Sequence, residues 1–159
     1  MAQAGAQDDA SHLVETYSSM LLRLACTRLE NPADAEDVVQ EVFLKLLTAR
    51  PAFRDAEHEK VWLIRTTLHR AADLRKAAAR RNVPLEEAQL AAGPESDGQL
   101  LAAVRALPEK YGAVIHLHYY EGYSLKEIGK LLGLPAATVG TRLARGRERL
   151  RQSLKEEIE

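Results

Sequence analysis

Apolar residues along the chain recur almost everywhere at helical spacing. From Ser11 they fall at Leu13, Tyr17, Met20, Leu21, Leu24 and Ala25, a stripe of period 3.6. Asn31-Pro32-Ala33-Asp34 reads as a helix start: Asn31 can cap, Pro32 suits the first helical position, and Asp34 favours the positive helix end. The helix that follows runs to about Leu47 and buries Val38, Val39, Val42, Phe43, Leu46 and Leu47, and Pro51 ends it. A loop through Phe53 and Asp55 leads to a third helix, Glu57 to Arg81. Further helical segments are expected over 97–106, 108–120, 125–132 and 136–154, with Pro108 at a first helical position and Gly122 at a stop. No strand-like alternation persists, so the fold class is all-α.

Between Asn82 and Asp97 the composition changes to VPLEEAQLAAGPESD, with two Pro, one Gly and only acidic charge. This segment is too short and too poor in large apolar residues for a domain, and reads as a tether. The expected organisation is two small helical domains joined by a short linker: residues 8–82, linker 83–96, and 97–156.

Net charge is only −1 over 159 residues, which excludes a protein basic all over. The charge is sorted, however. Residues 1–47 carry three basic and eight acidic side chains, 50–82 carry nine and four, and 138–151 hold five Arg against Glu148. Blocks of alternating sign suggest separate surfaces for separate partners. The single cysteine, Cys26, lies on an apolar stripe, as a buried and inert thiol would, and offers no disulfide or thiolate metal framework. The N-terminal MAQAGAQDDASH has neither the basic start nor the apolar run of a signal peptide, and no segment reaches the roughly 20 apolar residues of a membrane span. A cytoplasmic protein without membrane insertion is expected.

The strongest local signal is SLKEIGKLLGLPAATVGTRLARGRERL. Ser124 and Glu127 make a capping box, Leu125, Ile128, Leu131 and Leu132 face inward, Gly133-Leu134-Pro135 forms a tight turn, and the next helix packs through Val139, Leu143 and Leu150. Helix, Gly-containing turn and helix is the DNA-binding helix-turn-helix pattern. Thr138, Thr141, Arg142, Arg145 and Arg149 share the face opposite Val139 and Leu143, with Arg147 and Arg151 at its flanks. Arg forks there can grip phosphates or a guanine edge. A plain solvated basic face is the alternative.

In NPADAEDVVQEVFLKLL, Asp34, Asp37, Gln40, Glu41 and Lys45 lie on the face opposite the buried arc, with Leu44 among them. That is an acidic face with a small apolar anchor, as a partner surface would have, although single exposed leucines are common. The third helix sets Trp62 beside Arg65, Arg70, Arg75, Lys76, Arg80 and Arg81, with Thr66, His69 and Asp73 between. It reads as a nucleic-acid track or as a solvated basic side over a core Trp. His116 and His118 point to opposite sides of a helix and cannot chelate together. No Ser-His-Asp order, Gly-rich phosphate loop or HExxH is present, so no catalytic residues, metal or cofactors are expected.

Together these segments, from about Ser11 to Leu154, resemble the extracytoplasmic-function (ECF) sigma factors, the smallest of the sigma-70 family. DAEDVVQEVFLKLL is similar to the family's second-region helix, VWLIRTTLHRAADLRK to its promoter-melting helix, and LPEKYGAVIHLHYYEGYSLKEIGKLLGLPAATVGTRLARGRERL to its fourth region. The resemblance implies an alternative sigma factor, a specificity subunit of RNA polymerase rather than an enzyme. Asp34, Asp37, Gln40, Glu41 and Leu44 would bind core RNA polymerase. Phe53, Arg54, Asp55, Arg65, His69, Arg70, Asp73, Lys76 and Arg80 would read and open the minus-10 element. Ser124, Lys126, Thr138, Thr141, Arg142, Arg145 and Arg149 would meet the minus-35 element. Partners implied are bacterial core RNA polymerase, promoter DNA and an anti-sigma factor, the free protein being a monomer.

The sequence departs from the family at His69, often Asn, and at Ala137–Thr141, often Gly-Thr-Val-Lys-Ser. Gly140 thus removes a basic DNA contact and costs about 1 kcal/mol of helix propensity relative to Ala. Gly129 and Gly146 stand where alanines are usual and would soften their helices. Two other readings compete. A self-sufficient helix-turn-helix regulator would dimerise on a two-fold site, but no evident dimer helix is present. A helical scaffold would leave the Arg face unexplained.

Overall fold

The computed structural model describes residues 2–49, 51–80 and 95–158, and every described element is helical. Helix α1 (Ala2–Cys26) begins earlier than the apolar stripe at Ser11, through a stretch rich in the helix formers Ala and Gln. Its buried face is Met20, Leu21, Leu24 and Ala25. Helix α2 (Pro32–Ala49) starts as expected, with the Asn31 Oδ1 accepting from the Ala33 N–H at 2.9 Å and Pro32 first in the helix. Helix α3 (Ala56–Arg80) is capped by Asp55, whose Oδ1 accepts from the His58 N–H at 2.7 Å. Leu63, Ile64, Thr67 and Ala71 form its buried stripe.

Two expectations for this half are corrected. Leu47 is 49% exposed, because it lies at the margin of the apolar arc in the last turn of α2, where the other helices no longer cover it. Trp62 is half-buried at the edge of the core, its ring meeting Phe53 edge-on at 5.9 Å.

The tether expected over 83–96 lies outside the described residues up to 94, and helix α4 (Glu95–Ala106) already includes Glu95 and Ser96. The single helix expected over 108–120 is in fact helix α5 (Glu109–Ile115) running into a π-helical turn, His116–Tyr120. Pro108 is its N-cap, with φ −52° and ψ 146°, rather than its first helical residue. The π turn shows in the Glu121 N–H donating to the His116 carbonyl, five residues back. Gly122, at φ 82°, then ends the helix.

Helix α6 (Leu125–Leu132) carries the full capping box, Ser124 accepting from the Glu127 N–H and Glu127 accepting from the Ser124 N–H, both at 3.1 Å. Gly133, left-handed at φ 71°, closes it and leads through Pro135 into helix α7 (Ala136–Ile158). Gly129 is required by this turn: a Cβ there would lie 2.5 Å from the Leu134 carbonyl oxygen. Gly146 likewise lets α7 approach Ile115, 3.0 Å from where its Cβ would be. Beyond the softening expected of them, these two glycines have a packing role. At Gly140 the nearest atom to an added Cβ is Leu125 Cδ1 at 3.7 Å, ordinary contact, so nothing in the packing demands glycine.

Helices α1, α2 and α3 pack together, as do α5, α6 and α7, and α3 also packs on α6. The two halves share one continuous core, with Leu21, Leu24, Leu63 and Ile64 from the first and Val114, Leu117, Ile128 and Val139 from the second fully buried. Among the described residues no helix is long and apolar enough to cross a membrane.

Candidate nucleic-acid interface

The helix-turn-helix holds α7 with one side in the core, through Val139 and Leu143, and the other in water. Thr141, Arg145 and Arg149 are exposed, and Thr138 and Arg142 half-buried, on the one face the sequence assigned to them. Thr141 donates to the Ala137 carbonyl at 3.1 Å, and the Arg149 guanidinium lies 5.0 Å from the Tyr111 ring centre. Lys126 is exposed at the start of α6. Ser124 is exposed too, and its oxygen is occupied as the α6 cap. Lys126, Arg142, Arg145 and Arg149 thus stand together on the helix-turn-helix. Such an arrangement suits phosphates and base edges in a major groove.

On α2, Asp37, Gln40, Glu41 and Leu44 are exposed and Asp34 half-buried, with Leu44 at 60% exposure. The partial exposure of Leu47 makes this end of α2 more apolar than expected. Between α2 and α3 lies a polar cleft of about 230 Å³ lined by Glu41, Val42, Lys45, Thr66, His69, Arg70 and Asp73. Glu41, from the acidic face, and Arg70, from the basic helix, form an ion pair across it. That pair joins two surfaces the sequence treats as separate, and no spacing rule connects positions 41 and 70.

The remaining α3 residues divide. Lys76 and Arg80 are exposed with His69 and Asp73. Arg54 and Asp55 are exposed in the loop before α3, Asp55 acting as helix cap, while Phe53 packs between Trp62 and His58. Arg65 points elsewhere: its Nε donates to the Leu131 carbonyl at 2.7 Å and its Nη2 to Lys130 at 3.2 Å, at the end of α6. In this arrangement the Arg65 guanidinium is engaged with the end of α6.

A second set of groups has no local sequence pattern that links its members. Glu121, beside the π turn, accepts from Arg23 of α1 at 2.8 and 3.1 Å and from His116 Nε2 at 2.7 Å. Burial works against the Glu121 carboxylate, but the Arg23 and His116 hydrogen bonds outweigh it and hold its pKa below the ordinary value. Burial pushes the His116 pKa down, only partly offset by Glu121. Burial raises the Cys26 thiol pKa and so disfavours the reactive thiolate. Among the described residues no three His, Cys, Asp or Glu side chains are grouped to hold a metal ion.

This layout can be set beside known proteins. Residues 13–81 match the family "Sigma-70 region 2", and residues 97–150 match "Sigma-70, region 4". The ECF RNA polymerase sigma factor SigW of Bacillus subtilis is 30% identical over 172 aligned residues, covering 96% of this chain and 92% of that protein. The chain belongs to the ECF sigma factors of the sigma-70 family. RNA polymerase sigma factor SigV of Bacillus subtilis is 34% identical, covering 85% of this sigma factor and 84% of its relative. CnrH, solved in complex with the cytosolic domain of CnrY, is similar at a TM-score of 0.71 and 26% identity, over 96% of this chain and 94% of that one. RpoE of Bartonella quintana, solved with the anti-sigma factor NepR, shares the fold at a TM-score of 0.72 and 19% identity, over 92% and 97%. The protein is an alternative RNA polymerase sigma factor that directs promoter recognition, a specificity subunit of the polymerase.

Proposed function

We propose that this sigma factor works through three surfaces on two domains, 8–82 and 97–156, tethered by 83–96. The α2 face of Asp34, Asp37, Gln40, Glu41 and Leu44 docks core polymerase. The loop and helix bearing Phe53, Arg54, Asp55, His69, Arg70, Asp73, Lys76 and Arg80 engage the minus-10 element as it opens, with polar side chains available to an unstacked base. Lys126, Thr138, Thr141, Arg142, Arg145 and Arg149 meet duplex DNA at the minus-35 element. Polymerase holds both DNA-reading units on one scaffold, so each weak contact raises the effective concentration of the other.

Nucleotide chemistry belongs to the polymerase, and the work takes place in the cytoplasm. The observation that carries this reading is the order of two sigma regions along one chain, with the Arg face of α7 open to solvent. An anti-sigma factor is the proposed inhibitor, by analogy with the Bartonella RpoE, which was solved with the anti-sigma factor NepR.

The deciding experiment is co-elution with sigma-free core polymerase, followed by promoter-dependent transcription. Wild type should form a stable complex and Leu44→Glu should not, because a carboxylate replaces the most exposed apolar anchor of α2. Wild-type affinity in folded Leu44→Glu would remove α2 as the docking face. Failure of the wild type to bind at all would favour a stand-alone regulator.

A further inference from the structure

The loop ahead of α3 is held by a side chain that belongs to none of the three surfaces. Phe53, Arg54 and Asp55 stand in that loop, Phe53 half-buried and the other two exposed. Among the described residues, none of the three donates its N–H to a backbone carbonyl. His58, in the first turn of α3, meets each of them. Its own N–H donates to the Asp55 Oδ1 at 2.7 Å, its Nδ1 accepts from the Arg54 N–H at 3.2 Å, and its ring stands edge-on to Phe53 at 5.5 Å and 88°.

The arrangement is a capping box displaced by one residue. In the usual box a Glu or Gln at the third helical position reaches back to the N–H of the cap. Here Asp55 is the cap, and the His58 imidazole, third in α3, reaches one residue farther, to Arg54. Nδ1 accepts only while it carries no hydrogen, which places the ring hydrogen of the neutral form on Nε2. The Arg54 N–H lies ahead of the helix, where α3 has no carbonyl to offer it. Phe53 meets two rings, His58 and, at 5.9 Å, Trp62. Hydrogen bond and ring contacts together fix the backbone of 53–55, while Arg54 and Asp55 remain exposed.

We propose that His58 is the positioning residue of the minus-10 loop: it holds Phe53, Arg54 and Asp55 in one conformation before DNA arrives, and so lowers the cost of capturing an unstacked base. The proposal rests on the reading of 53–55 as minus-10 contacts. Pulling a base from the stack costs free energy, and fixing a free backbone adds to that cost at every residue ordered. A loop already ordered meets only the first cost. His58 needs no contact with a base, since it acts through the backbone of Arg54 and the ring of Phe53. Replacing its side chain leaves the Asp55 cap intact, because that bond uses the His58 main-chain N–H.

Two variants separate the acceptor from the bulk. Asparagine carries its Oδ1 on Cγ, the atom that carries Nδ1 in histidine, so His58→Asn keeps an acceptor for Arg54, whereas His58→Leu fills space without one. Trp62, the one tryptophan of the chain, reports on the loop in the free full-length protein through its contact with Phe53. Acrylamide should quench Trp62 more in His58→Leu than in wild type, and His58→Asn should return to the wild-type level. In the holoenzyme, permanganate reactivity of unpaired thymines measures opening, on a duplex promoter that the wild-type holoenzyme has selected from a random library. His58→Leu should lower opening by roughly three- to tenfold, the effect of one lost hydrogen bond, with core-polymerase affinity unchanged and His58→Asn within about twofold of wild type. Unchanged quenching in His58→Leu overturns the proposal, whatever happens to opening, and so does an asparagine that restores neither signal. Increased quenching with wild-type opening shows instead that the loop, although held by His58, does not read the minus-10 element, and removes the reading on which the proposal rests. If circular dichroism shows His58→Leu to be unfolded, His58→Phe, which keeps a ring against Phe53 and lacks the acceptor, takes its place.

Discussion

The Arg65 side chain, on the helix assigned to the minus-10 element, donates its Nε hydrogen to the Leu131 carbonyl at 2.7 Å, at the end of the first helix of the helix-turn-helix. It also lies against the turn, 3.1 Å from where a Cβ of Gly133 would stand. One guanidinium therefore couples α3 to the end of α6 across the junction of the two halves.

Opposite effects are expected from two glycines of the helix-turn-helix. Gly129→Ala places a methyl 2.5 Å from the rigid Leu134 carbonyl and should destabilise by about 1–3 kcal/mol despite better helix propensity. Gly140→Ala meets only Leu125 Cδ1 at 3.7 Å and should stabilise by up to about 1 kcal/mol. Urea denaturation of the two variants checks both signs, and a stabilising Gly129→Ala would refute the close approach.

The α6 cap should be measurable on its own. Ser124→Ala removes the acceptor for the Glu127 N–H and should cost about 0.5–2 kcal/mol, with Ser124→Thr largely restoring it. Thermal melts of the three proteins distinguish a cap from a DNA contact, since a pure DNA contact would leave the free protein unchanged.

Acidification should loosen the protein through His116 and Glu121. The His116 pKa is lowered from 6.5, so the unfolded chain takes up that proton first and stability falls as pH drops below about 6.5. The Glu121 pKa is lowered from 4.5, so its contribution is present above that value and is lost as pH falls through the folded-state pKa. Urea midpoints should decline between pH 7.5 and 5.5 in wild type and do so less steeply in His116→Gln. Equal slopes in both would show that another group titrates.

Loss of α7 cations should appear in the salt dependence of promoter binding by the holoenzyme. If Arg145 contacts phosphate, Arg145→Ala lowers the slope of log K against log salt by about 0.9 and weakens all promoters alike. If it reads a base, affinity falls only for promoters carrying that base, with selectivity relaxed at one minus-35 position.

The Glu41–Arg70 pair should contribute little to folding. Both side chains are more than 40% exposed, and a double-mutant cycle on urea stability should return a coupling of roughly 0.2–1 kcal/mol. A coupling well above that range would mark the cleft between α2 and α3 as a structural element rather than an open surface.

Local chemistry in the sequence determined the starts of α2 and α6, the stop of α6, and the apolar faces of α2 and α7. Asn31, Ser124 and Gly133 act on backbone groups within a few residues of themselves, and the Val38–Leu46 and Val139–Leu143 stripes follow from the 3.6-residue period. The Arg face of α7 was legible for the same reason, since the helix fixes its side-chain directions. Leu47, the division at His116 and the need for Gly129 were not, because each depends on how far a neighbouring helix reaches. Only the tertiary structure decided that Arg65 meets Leu131, Arg23 meets Glu121 and the Arg28 guanidinium occupies the space where a side chain at Gly112 would stand. These contacts bridge positions 66, 98 and 84 residues apart, and an arginine in sequence carries no mark of whether its five donors will face water, phosphate or the bare carbonyls of another helix.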